Sequence, residues 1–274
     1  MRWRELLNFS NYLEDLKRSK ITAMLDGIAK KGGPVMADRT LAYLRAGLNW
    51  YASRTDDWVS PIVRGMARTK SKERAGTRVL ADDELRDLWR ALDKAVDFLP
   101  ACYPQYVRAL LLTASRRNEA SEGSWPEVET LPRDGFKGEV WIIPGARMKN
   151  KRDHAVPLTS AVMAVIGGEP RDAKARPYLF STLGGTTPFS GFSKAKSALD
   201  EQIAKIRKAD GREPMPPWKL HDLRRTGKTL MLRAGVRPDI SERVLSHVIG
   251  GVEGVYDRYV TCRRSVMRSI SWQY

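Results

Sequence analysis

Residues 221–256 read HDLRRTGKTLMLRAGVRPDISERVLSHVIGGVEGVY. His221 and Arg224 stand one helical turn apart at its start, and His247 stands nine residues before Tyr256 at its end. Between them, Leu223, Leu230 and Met231 mark a helix that begins at Asp222 and is closed by Gly235, a residue suited to a C-cap. Asp239 followed three residues later by Glu242 has the spacing of a capping box, and Ile240, Val244 and Leu245 give the second helix a buried side. One compact unit therefore carries cations that can hold phosphate, groups that can move protons, and a phenol. Two helices joined by a short Gly-containing turn also describe a helix-turn-helix, and the stretch alone leaves that reading open.

The whole chain, 274 residues with 42% hydrophobic residues, is long enough for one or two domains with real cores. Its 48 Lys and Arg against 32 Asp and Glu give a formal charge of +16 and a sequence pI near 10.0. A charge of that sign and size favours a polyanion, and a phosphate backbone is the commonest one. Cys102 and Cys262 are far apart and belong to no CxxC or Cys/His cluster, which argues against a disulfide framework or a zinc site. The N-terminus lacks an uninterrupted apolar run, and no stretch approaches the length of a membrane span. These features imply a cytoplasmic protein without a membrane partner, and a polyanion-binding one would sit at the nucleoid.

A small helical module is expected first, over residues 1–67. Leu6, Leu7, Tyr12, Leu13 and Leu16, then Ile21, Met24, Leu25 and Ile28, recur at helical spacing, Gly32, Gly33 and Pro34 interrupt them, and Leu41, Leu44, Leu48 and Tyr51 resume before Pro61 ends the module. Met1 to Thr77 holds fifteen basic and eight acidic residues, a net +7 on little more than a quarter of the chain. Residues 68–78, RTKSKERAGTR, read as a basic linker that either crosses a nucleic-acid backbone or is a solvated hinge.

The second domain is expected over residues 79–274. Asp82, Asp83 and Glu84 favour a helix N-terminus, with Leu85, Leu88, Trp89, Leu92 and Val96 as its apolar stripe. A further helix after Pro104, carrying Tyr106, Ala109, Leu110 and Thr113, runs into Arg116 and Arg117, whose charges can offset the helix C-terminal dipole. Val140–Ile143 and Ala155–Leu158 read as a β-hairpin with Lys149 near its tip, a place where exposed lysines are common. Phe192–Lys208 reads as a basic, exposed helix, and Tyr51, Tyr103 and Tyr106 read as core.

HDLRR, LSH and the tyrosine nine residues on together resemble the signature of the tyrosine recombinases, or phage integrases, and within them the prophage type with HDLRRT and RMKN segments. LLLTASRRNEA resembles the family segment carrying its first catalytic arginine, which falls on Arg116 with Glu119 in support. RMKNKRDHAVPL resembles the hairpin of the catalytic lysine, which falls on Lys149. Arg116, Lys149, His221, Arg224, His247 and Tyr256 thus occupy the six functional positions in the family's order. The resemblance covers most of residues 79–272, and more weakly residues 21–66, where it implies a core-binding module. Ala114 stands where the family usually has glycine. No counterpart of the arm-binding domain precedes the core-binding module, which itself reads as shortened.

The resemblance implies a mainly α fold with a small antiparallel sheet, a helical core-binding domain ahead of a catalytic domain, and a 3′-phosphotyrosyl intermediate. It implies double-stranded DNA as partner, a homotetramer on two duplexes, and no cofactor or ATP. The apolar set Val266, Ile270 and Trp272 either packs on a neighbouring subunit or folds back on its own domain. The chemistry suits the residue types. Two guanidiniums can clamp the non-bridging oxygens of a phosphodiester, and no clustered Asp and Glu set suited to paired metal ions accompanies them. A phenol with a pKa near 10 needs help to ionise, for which His221 is the candidate base. Lys149 can protonate the departing oxygen, and His247 can donate to the phosphate. Tyr259, one turn after Tyr256, is the competing nucleophile. A type IB-like topoisomerase would use the same six residues.

Overall fold

The computed structural model describes residues 13, 16–70, 76–133, 136–167 and 174–246. The chain divides into two compact units, Met1–Gly76 and Thr77–Tyr274. The first is built on α1 (Arg18–Gly32) and α2 (Pro34–Ala52), joined through Gly33, whose φ of 84° is open to glycine at little cost. Ile21 and Leu25 of α1 meet Ala37, Leu41 and Leu48 of α2 in one apolar core. The module does not stop at Pro61. Ile62 and Met66 pack on that core, while the backbone N–H groups of Arg68 and Thr69 donate to the buried Asp38 carboxylate at 2.7 and 3.0 Å. A buried carboxylate is tolerable only with such donors, so these bonds hold the start of the basic segment on the helical pair.

The second unit is mainly helical with one three-stranded sheet. After α3 (Asp82–Asp93) come α4 (Cys102–Thr113) and the short α5 (Arg117–Ser121). The sheet follows: β1 (Val128–Arg133), β2 (Phe136–Ile143) and β3 (His154–Leu158), antiparallel in the order β1-β2-β3. The expected hairpin is present as β2 and β3, in register from Glu139 opposite Leu158 to Ile143 opposite His154. β1 was not legible from its sequence, VETLPR, because its proline and charged residues mask the strand pattern. A strand paired on one side only can carry a proline.

Four further helices follow among the described residues: α6 (Ser160–Ile166), α7 (Phe192–Ala209), α8 (Leu220–Arg233) and α9 (Pro238–Val244). The nearly all-apolar α4 is the hub, packing against α5, α6, α8 and β3. Tyr103 and Tyr106 are fully buried on it, and the Tyr106 hydroxyl donates to the Arg117 carbonyl at 2.9 Å, fixing the start of α5. α9 is capped at Arg237, two residues before the expected Asp239 cap, because Pro238 takes the first helical position and Asp239 pairs instead with Arg237 at 3.0 Å.

α7, expected to be a basic exposed helix, is exposed on one side only. Ala195, Leu199, Ile203 and Ile206 bury an apolar stripe, and α7 packs on α3. Arg207 is 8% exposed and donates to Asp83 and to the fully buried Asp87 at 3.2 and 2.8 Å. Arg212 adds a second bond to Asp87, and Asp210 joins Arg90 to Arg212. Lys194, Lys205 and Lys208 stay on the exposed side, while the one arginine on the packed side is neutralised by acidic residues of α3.

Candidate active site

α4 ends at a turn that aims the next arginine. Ala114 takes a left-handed conformation, φ 50°, where an L side chain costs about 1–2 kcal/mol relative to the right-handed helix. Its buried methyl packs with Met231, Val236, Ile240, Val244 and Leu245, which offsets part of that cost. The departure from glycine therefore preserves the turn. Arg116 follows as the N-cap of α5 rather than as the end of α4, and Glu119 closes the cap by accepting the Arg116 backbone N–H at 2.9 Å. The same carboxylate accepts the Arg116 guanidinium at 2.5 Å, so Glu119, 5% exposed, orients a side chain that remains partly open to solvent.

Arg224 lies on α8 and is 4% exposed. It donates to the carbonyl of Ala114 at 2.5 Å and to the carbonyl of Leu245, tying the turn before Arg116 to the end of α9. Among the described residues it forms no salt bridge with a carboxylate. Burial, and then the neighbouring charge of Arg116, push its pKa down to about 10. A buried guanidinium with no carboxylate salt bridge among the described residues, and with the charge of Arg116 acting on it against those of Glu119 and Glu242, is a group that an entering anion stabilises. Gly227 makes the approach possible, since a Cβ there would lie 2.9 Å from the Leu111 carbonyl of α4. Gly227→Ala is therefore expected to push α8 off α4 and destabilise the fold by about 1–3 kcal/mol despite alanine's better helix propensity. Denaturant melts of the two proteins measure the loss.

His221 is exposed on the first turn of α8. Partial burial of its ring, followed by the charges of Arg225, Arg224 and Arg116, holds its pKa below the ordinary imidazole value. The neutral, proton-accepting form is thus favoured at neutral pH. Lys149 lies in the 144–153 connection between β2 and β3 and is exposed. It lines a cleft of about 370 Å³ together with Arg116, Glu119 and Arg147. The structure therefore brings Arg116, Glu119, Lys149, His221 and Arg224 to one basic region from α5, the β2–β3 connection and α8. His247 and Tyr256 lie outside the described residues, as do Tyr259 and the 266–272 apolar set.

The sequence reading did not single out His154. It opens β3, is 9% exposed, and its Nε2 lies 3.1 Å from the Val244 carbonyl, at the same end of α9 that Arg224 holds. The signal was present: of the three histidines, it is the one beside the Lys149 segment. Burial lowers its pKa to about 4, so it is neutral when folded. In the unfolded chain an imidazole near 6.5 takes a proton that the native state refuses. Stability is therefore full above about pH 6.5 and falls as pH drops towards 4, by up to about 3 kcal/mol. Urea melts between pH 7.5 and 4.5 test this, and His154→Gln, which keeps a donor for Val244, is expected to flatten that part of the dependence.

Among the described residues no group of three or more His, Cys, Asp or Glu side chains converges as a metal site. No described helix is long and apolar enough to cross a membrane. The rival recognition helix, α9, turns Ile240, Ser241 and Val244 inward and carries Asp239 and Glu242 on its more open side. Asp239 is paired with Arg237 and Glu242 with Lys228, so that side of α9 is taken up by ion pairs.

The model of the phage integrase family, whose members are tyrosine recombinases, matches residues 78–258. The chain belongs to that family. It is similar to prophage integrase IntA of Escherichia coli (strain K12), with 30% identity over 162 residues, 58% of this chain and 35% of that protein. The chain thus spans about a third of the length of that relative. Among solved structures it resembles the XerH site-specific recombinase bound to difH substrate, with a TM-score of 0.60, 13% identity, and 95% of this chain against 68% of that one. It also resembles a lambda integrase tetramer bound to a Holliday junction, with a TM-score of 0.57, 17% identity, and 92% of this chain against 74% of that one. At these identities the likeness establishes the fold, mainly helical with a small antiparallel sheet.

Proposed function

We propose that this protein is a site-specific DNA recombinase that breaks and rejoins strands through a 3′-phosphotyrosyl intermediate, without metal or ATP. The observation that carries the reading is Arg224, buried, held by two carbonyls, without a carboxylate salt bridge among the described residues and subject to the charge of Arg116. A DNA phosphodiester supplies the anionic partner for Arg224, beside the Arg116 guanidinium that Glu119 orients. Arg116 and Arg224 bind its non-bridging oxygens and stabilise the charge that builds on them during attack. His221 takes the proton of the Tyr256 hydroxyl, the phenolic oxygen bonds to phosphorus, and the bond from phosphorus to the 5′ oxygen breaks. Lys149 gives that oxygen its proton, and His247 donates to the phosphate. The ester energy is kept in the new link, so a second 5′-hydroxyl can reverse the attack and exchange strands. Glu119 is a positioning residue for Arg116.

The same reading takes residues 1–67 as the DNA-clamping module, 68–78 as the linker and 79–274 as the catalytic domain. It takes a homotetramer on two duplexes as the working assembly, acting on nucleoid DNA. The experiment is covalent capture. The protein is incubated with a random-sequence pool of nicked duplexes, and DNA that stays attached through denaturation is recovered, enriched and sequenced. The reading expects an adduct on a defined sequence, formed in excess chelator and without ATP. Salt-sensitive binding that never becomes covalent contradicts it and favours a non-enzymatic DNA-binding protein. Relaxation of supercoiled plasmid by protein that never joins two duplexes favours a topoisomerase.

A further inference from the structure

The 144–153 connection that carries Lys149 is fastened at several points. Arg147 donates to the Glu127 carboxylate and, at 3.3 Å, to the Glu119 carbonyl, and Met148 is buried at 1% exposure. The Gly145 N–H donates to Asp153 at 2.7 Å, closing the base of the loop. Asn150 uses both ends of its amide. Its Oδ1 accepts the Arg152 N–H at 3.2 Å, which leaves Nδ2 to donate to Ser246, at 3.1 Å to Oγ and 3.4 Å to the carbonyl. Because a backbone N–H can only donate, the amide orientation follows from the first bond.

Ser246 is itself unusual. It has φ 52°, costly for a serine, and follows two residues whose carbonyls are also held: Val244 by His154 and Leu245 by Arg224. Three successive carbonyls, 244 to 246, are thus gripped by three different elements: β3, α8 and the Lys149 connection. Of the three grips, only the one from Asn150 belongs to the residue next to Lys149.

We propose that Asn150 is a positioning residue that acts through Lys149, its bond to Ser246 anchoring the lysine's backbone to the same 244–246 segment that anchors Arg224. The inference rests on the proposed strand-cleaving function. The anchor removes the freedom that an exposed lysine on a ten-residue connection otherwise has. Proton delivery to the 5′ oxygen then occurs from a fixed origin, with the phosphate held from the other side of the same segment.

The test compares two nicked duplexes of the captured sequence, one with the natural 5′ oxygen at the scissile phosphate and one with sulfur in its place. A thiolate leaves without a proton, having a conjugate-acid pKa of about 8.5, so the sulfur duplex bypasses a general acid. Full-length Asn150→Ala is expected to form adduct about 10- to 100-fold more slowly than the parent on the oxygen duplex, a fraction of the roughly 10²- to 10⁴-fold range of general-acid catalysis. On the sulfur duplex its rate should return to within about threefold of the parent, following Lys149→Ala in pattern. Ser246→Ala should show the same recovery, and adding it to Asn150→Ala should cost little more than either change alone. An equal loss on both duplexes, as misfolding or poor phosphate holding produces, or no loss on the oxygen duplex, overturns the proposal. A parent protein that forms no adduct on either duplex defeats the cleavage reading itself, and this inference with it.

Discussion

Arg224→Lys is expected to slow adduct formation about 10²- to 10³-fold, the range seen when one donor to developing negative charge is removed. Lysine keeps the charge, so the change isolates geometry. A planar guanidinium can donate at once to the Ala114 carbonyl, to the Leu245 carbonyl and to a phosphate oxygen. An ammonium on a flexible stem cannot span those three directions. The two carbonyls also lose donors, so a stability loss of about 1–3 kcal/mol should accompany the rate effect. Single-turnover kinetics on the captured duplex, read beside a denaturant melt, separate the two. A variant that melts early yet reacts at the parental rate would remove Arg224 from the reacting site.

The second large effect lies away from the reacting phosphate. Asp87 is fully buried and takes bonds from Arg207 and Arg212, with Arg90 3.7 Å away. Asp87→Ala leaves Arg207 nearly buried with only the partly exposed Asp83 to neutralise it, and breaking a buried pair on one side costs about 3–5 kcal/mol. Asp87→Ala combined with Arg207→Met should recover most of that loss, because the stranded charge goes with its partner. Thermal and denaturant melts of the single and double variants decide it. A single variant as stable as the parent would mean that α3 and α7 are joined by their apolar stripes alone.

The contrast between these two regions shows what the sequence made legible. The α8 helix, the β2–β3 hairpin and the tyrosine-bearing α4 core could be read because their periodicity is local. Arg116, Lys149, His221 and Arg224 could be read in that order because LLLTASRRNEA, RMKNKRDHAVPL and HDLRR resemble segments of one family, and the residue types suit phosphate chemistry. Asp87 and Arg207 could not, since residues 120 positions apart neutralise each other only after α3 and α7 have packed. His154 and Asn150 escaped for the same reason: their partners, Val244 and Ser246, are 90 and 96 residues away, and neither carries a residue-type signal for being gripped. Arg116 was legible as a residue but not in its placement. The left-handed Ala114 that ends α4, and so turns Arg116 into the cap of α5, is a conformation alanine does not advertise.

The account depends most on which atom becomes attached to DNA. The adduct captured in excess chelator is digested with protease and nuclease, and the peptide carrying a 3′-phosphonucleotide is sequenced by tandem mass spectrometry. The prediction is attachment at Tyr256, with no such peptide from Tyr256→Phe. Attachment at Tyr259 or at any other side chain, or an adduct that persists in Tyr256→Phe, would contradict it.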